Sequence, residues 1–120
     1  MAIGTDTLVH KTCLKYKGKT IAVLPCGFYQ IYPKNNRKLL EKIIAADGLA
    51  LTEYSPEMFA DYNTFLERNR IVAALGKGLL VIEALHRSGT SVTANFAFKA
   101  KRNVYAIPRR LRETVFGWNE

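Results

Sequence analysis

Residues 19–53 read KTIAVLPCGFYQIYPKNNRKLLEKIIAADGLALTE, and this stretch decides the fold. It opens on an apolar run, Thr20–Leu24, crosses a loop containing Pro25, Gly27 and Pro33, and enters a helical pattern over Asn36–Ala46. There Leu39, Leu40, Ile43 and Ile44 fall on one side of a 3.6-residue period, with Arg37, Lys38, Glu41 and Lys42 on the other. After Asp47-Gly48 comes a second apolar run, Leu49–Thr52. Neither run alternates apolar with polar residues, which suits strands buried on both faces, as in a parallel sheet. Strand, helix, strand is then a crossover unit.

The same alternation extends outward. Thr5–Tyr16 reads as a helix burying Leu8, Val9, Cys13 and Leu14; Arg68–Leu75 and Thr90–Ala100 read as two more, and Arg110–Phe116 as a fifth. Strands are expected at Leu79–Glu83 and Asn103–Ile107. Gly18, Gly48 and Gly78 each lie just ahead of a strand, where helix C-caps and helix-to-strand turns favour glycine. The order α-β-α-β-α-β-α-β-α implies a three-layer α/β domain with a mainly parallel sheet of about four strands, occupying 1–120 as one domain. A doubly wound fold opens on a strand, whereas this chain opens on a helix, so the domain is expected to be truncated at the front with an open sheet edge.

Composition narrows the class. With 48% hydrophobic and 23% charged residues, the chain is an ordinary globular sequence and not a disordered one. The apolar run Leu79–Ile82 is far too short to span a membrane, and Asp6, His10 and Lys11 interrupt any signal-peptide core, so a cytoplasmic protein without a membrane partner is expected. Cys13 and Cys26 read as reduced thiols. Eighteen lysines and arginines against ten acids leave a net charge of +8, which favours polyanionic partners, nucleic acid or nucleotide phosphates.

Most chemical motifs fail on position. Gly18-Lys19-Thr20 resembles the end of a phosphate-binding P-loop, but it precedes a strand where a P-loop follows one. Gly76-Lys77-Gly78 fails as a dinucleotide fingerprint for the same reason. His10 and Cys13 have no second ligand pair, so no metal or other cofactor is expected. Asp47, His86 and Ser88 lack a nucleophile-elbow pattern, and no covalent chemistry is expected.

Three loops remain, each after a strand and before a helix, where a parallel sheet places its ligands. The first runs from Cys26-Gly27 to Arg37. Lys34 and Arg37 bring charge to a helix start that Asn35 or Asn36 can cap, and Tyr29 and Tyr32 either stack on bases or simply pack. The second ends in Arg68-Asn69-Arg70, expected at a helix start, where two arginines grip phosphate by forked hydrogen bonds or pair with Glu53 or Glu67. The third contains Arg87-Ser88-Gly89-Thr90, in which backbone N–H groups at a helix start face an anion, or Ser88 or Thr90 serves as an ordinary N-cap.

From Gly4-Thr5-Asp6 through Pro108 the chain resembles the DprA/Smf family of DNA-processing proteins. The resemblance rests on Gly4-Thr5-Asp6 with His10, Lys19–Leu24, Cys26-Gly27, Ile31-Tyr32-Pro33-Lys34 with Asn36, and Thr52-Glu53-Tyr54. It continues through Phe65, Arg68-Asn69-Arg70-Ile71, Glu83-Ala84, Arg87-Ser88-Gly89 with Thr93-Ala94, and Val104–Pro108. It implies a Rossmann-like domain that binds single-stranded DNA without sequence preference, aids RecA loading in natural transformation of bacteria, and neither cuts nor joins DNA. It further implies that Lys34 matches a basic position in the family's DNA-binding pocket, Arg68, Asn69 and Arg70 its arginine-rich motif, and Ser88-Gly89 its small-residue turn. The family's opening strand and glycine-serine-arginine loop have no counterpart ahead of Gly4, and Arg109-Arg110-Leu111-Arg112 replaces its usual continuation. A second expectation is a nucleotide sensor or a nucleoside-monophosphate phosphoribohydrolase of the LOG type, with Glu83 beside Ser88-Gly89-Thr90. A third is a homodimer formed across the open sheet edge.

Overall fold

The computed structural model describes residues 5–82 and 89–108. The chain divides into two compact units, Met1–Thr64 and Phe65–Glu120.

In the first unit, helix α1 (Thr5–Lys15) leads to strand β1 (Ile21–Val23), helix α2 (Arg37–Ala45) and strand β2 (Leu49–Leu51). β1 and β2 pair in parallel, with Ile21 opposite Leu49 and Val23 opposite Leu51. The core joins Ala22, Leu24, Cys26 and Ile31 to Leu39, Leu40 and Ile43 of α2. Ile43 is fully buried, and a side chain of that size contributes about 2 kcal/mol when removed from water. Ile44, expected on the same face, lies at the edge of the apolar stripe and is exposed.

α1 packs through a different face from the one its apolar residues suggest. Leu8 and Val9 are 63% and 54% exposed, while Thr7, His10, Cys13 and Leu14 are partly covered. Hydrogen bonds explain the choice: Asn36 Nδ2 donates to Thr7 Oγ1 at 2.9 Å, and His10 Nδ1 lies 2.8 Å from Thr20 Oγ1. Polar residues three apart thus fasten α1 to the loop before α2 and to the start of β1.

The helix ends also depart from expectation. α2 closes with Asp47 N–H donating to Ile44 O and Gly48 N–H donating to Ile43 O, the pattern of a Schellman cap. The left-handed residue there is Asp47 (φ 64°), not Gly48, and Lys17 (φ 61°) takes that place after α1. Gly48 is required for space, since a Cβ would meet the Thr20 carbonyl oxygen and Ile43.

In the second unit, most of helix α3 (Tyr62–Leu75) precedes strand β3 (Gly78–Val81), helix α4 (Gly89–Lys99) and strand β4 (Asn103–Ala106). β3 and β4 pair in parallel, Gly78 opposite Asn103 and Val81 opposite Ala106, and Val81 packs with Leu79, Val104 and Ala106. All four expected strands are therefore present, hydrogen-bonded as two parallel pairs. The fifth helix expected at 110–116 lies outside the described residues. No helix among the described residues is long and apolar enough to cross a membrane.

Candidate nucleic-acid interface

The loop after β1 and the loop after β2 are stitched into one surface. Gly27 N–H donates to Met58 O at 2.9 Å, Tyr29 N–H to Pro56 O at 3.0 Å, and Thr52 Oγ1 to Cys26 O at 2.7 Å. The approach is so close that a Cβ on Gly27 would collide with the carbonyl oxygens of Ser55 and Pro56. Thr52 Oγ1 also receives the Tyr54 N–H, so this hydroxyl braces both loops.

Beyond Gly27 the chain makes two single 3-10 turns, Phe28–Gln30 and Lys34–Asn36, before α2. Buried Ile31 and Pro33 alternate with exposed Tyr29, Tyr32 and Lys34, and Arg37 opens α2 in solvent. Asn36 occupies the cap position of α2 but makes no side-chain cap bond; it is 8% exposed, and its amide donates to Thr7. Tyr29 is 68% exposed, and Phe59 and Tyr62, each 70% exposed, follow the stitched Pro56–Met58 segment. Those two aromatics are not among the site residues that the sequence indicates. Their signal was position: Phe59 lies between a strand end and a helix start, and Tyr62 opens that helix.

Arg68, Asn69 and Arg70 are not at a helix start. α3 begins six residues earlier, because Asp61 and Thr64 cap it reciprocally: Thr64 N–H donates to Asp61 Oδ1 at 2.8 Å and Asp61 N–H to Thr64 Oγ1 at 2.9 Å. In the body of a helix, residues two apart do not share a face. Arg68 is accordingly buried at 7% exposure, with Nε donating to Asn69 Oδ1 at 3.1 Å and its guanidinium 5.7 Å from the Phe65 ring centre. Arg70 is exposed. The two cannot close on one phosphate as a fork. Of the third loop, Gly89 and Thr90 open α4, while Arg87 and Ser88 lie outside the described residues.

The described elements amount to an α/β domain of the Rossmann-like kind, with cations and flat rings on loops that leave parallel strands. Comparison with known proteins narrows the class. Residues 1–120 match the family of the DNA recombination-mediator protein A, and the chain belongs to that family. It is 44% identical over 108 residues to Protein Smf of Synechocystis, covering 90% of this chain and 27% of that protein. DNA processing protein A of Streptococcus pneumoniae superposes with a TM-score of 0.84 at 39% identity, over 93% of this chain and 39% of the other. A Helicobacter pylori DNA processing protein A, whose structure describes a single-stranded DNA binding mode, superposes with a TM-score of 0.83 at 36% identity, over 93% and 50%. The chain thus spans about a quarter to a half of the proteins it matches.

Proposed function

We propose that this chain binds single-stranded DNA without sequence preference, as a recombination mediator that hands the strand to RecA, and that its role is binding and not bond-making. The observation that carries this reading is the pair of stitched loops in the first unit: exposed Tyr29, Tyr32, Lys34 and Arg37 follow β1, and exposed Phe59 and Tyr62 follow β2. Aromatic faces accept any base by stacking, and lysine and arginine neutralise phosphates regardless of sequence. Membership of the recombination-mediator family and likeness to the Helicobacter pylori protein support the same ligand.

Fluorescence anisotropy with labelled oligo-dT tests it. Binding weakens steeply with salt, and Lys34→Ala lowers the slope of log affinity against log salt by about 0.7, the value for one single-strand phosphate contact. The double change Tyr29→Ala/Tyr32→Ala weakens binding by roughly tenfold or more with the slope kept, because stacking releases no counterions. Titrations of all three proteins that superpose would overturn the assignment.

A further inference from the structure

Within the second unit the described residues carry six cations, Arg68, Arg70, Lys77, Lys99, Lys101 and Arg102, against one carboxylate, Glu67. Four of the six gather at the end of the unit where its strands begin. Lys77 precedes β3, Lys99 closes α4, and Lys101 and Arg102 precede β4. Because Gly78 stands opposite Asn103 in the parallel register, the residues before them, Lys77 and Arg102, adjoin along one sheet edge. This edge is opposite the one formed by the C-terminal ends of β3 and β4.

Helix dipoles account for part of the cluster, since cations favour helix C-termini. Arg102 has such a role: Nη2 donates to Ala74 O near the end of α3 at 3.1 Å, and Nη1 to Ala100 O at 3.3 Å. Lys77, Lys99 and Lys101 are exposed, and like charges held together repel.

A groove between α3 and α4 adjoins this edge. It is shallow and open, has a volume of about 480 Å³, and is lined by Ile71, Ala74, Leu75, Phe96 and Ala100 together with Arg70 and Lys99. The Lys99 ammonium lies 6.0 Å from the centre of the Phe96 ring. A mainly apolar lining with one aromatic ring and two cations complements a base with its flanking phosphates. We propose that the α3–α4 groove, with the basic edge of Lys77 and Lys101, is a second contact for single-stranded nucleic acid, distinct from the stitched loops of the first unit. This rests on the reading that the chain binds single-stranded DNA, and it gives Arg70 a place in the groove.

The test compares the intact chain with the variant Lys77→Gln/Lys99→Gln/Lys101→Asn. Asparagine at 101 tolerates the left-handed backbone there, φ 59°, so the turn is kept. Oligo-dT of about 4 and about 16 nucleotides separates one contact from two. The variant binds the short oligonucleotide as the unaltered protein does, loses roughly tenfold in affinity for the long one, and shows a salt slope shallower by about 2, three contacts at 0.7 each. Phe96→Leu weakens only the long oligonucleotide and leaves the slope alone. Wild-type affinity and slope for the long oligonucleotide in the triple variant would overturn the second contact. So would equal losses on both lengths, which mark a general field and not a groove. Failure of the unaltered chain to bind either length would overturn the first reading, and the second with it.

Discussion

Lys34 and Arg37 stand on a 3-10 turn and at the first position of α2, and both reach solvent. Arg68 and Arg70, at nearly the same spacing, stand in the body of α3, where one is buried and the other exposed. The difference lies in the backbone and not in the side chains. A short turn pinned by buried Ile31 and Pro33 keeps its cations outside, whereas a helix turns about 100° per residue and sends alternate ones apart. Charge spacing therefore predicts a shared binding face only when the local geometry is known.

The largest effect is expected where the first region is closest packed. Gly27→Ala puts a methyl group against the Ser55 and Pro56 carbonyls, and the loops must part. It should cost about 3 kcal/mol or more of stability by chemical denaturation. It should also abolish most oligo-dT binding, although no charge has changed. Wild-type stability would show that the loops are not held together in solution.

The second region gives the next effect. Arg68→Ala removes a buried guanidinium from Asn69 and the Phe65 ring and should lower stability by roughly 2–3 kcal/mol, a fall in melting temperature on the order of 10 °C. Arg70→Ala should move the melting temperature by no more than about 2 °C, as expected of an exposed position. Equal shifts by calorimetry would erase the distinction between the two arginines.

The smallest effect concerns how α1 fastens the first region. Burial, opposed in part by Asp6, holds the His10 imidazole below its ordinary value of 6.5. Between that value and the lower folded one, the unfolded chain binds more protons, so stability falls as pH drops below about 6.5. His10→Gln should flatten this part of the stability–pH curve while keeping a partner for Thr20. A curve of unchanged shape would assign the dependence to other groups.

Much of the fold could be read from the chain. Continuous apolar runs marked all four strands, although burial on both faces, expected from those runs, is not what the structure shows: Leu49, Leu80 and Tyr105 are 50%, 57% and 58% exposed. What escaped were choices made by single hydrogen bonds. Thr7 and His10 turned the polar side of α1 inward, and Asp61 with Thr64 started α3 early, with threonine standing where a capping box usually has glutamate or glutamine. Lys34 was recognisable because Pro33 and the asparagines signal a turn. The exposure of Phe59 and Tyr62 was not, since an aromatic in a loop or at a helix start looks the same in sequence whether it packs or faces water.

The bridging of the two loops through Gly27, Tyr29 and Thr52 has a kinetic consequence. Backbone that is hydrogen-bonded before any ligand arrives has already surrendered its freedom at folding, so capture of a strand, as proposed, would need no slow ordering step on the protein's side. For the binding proposed above, the association rate would then be governed by diffusion and charge, and affinity by how long a strand stays.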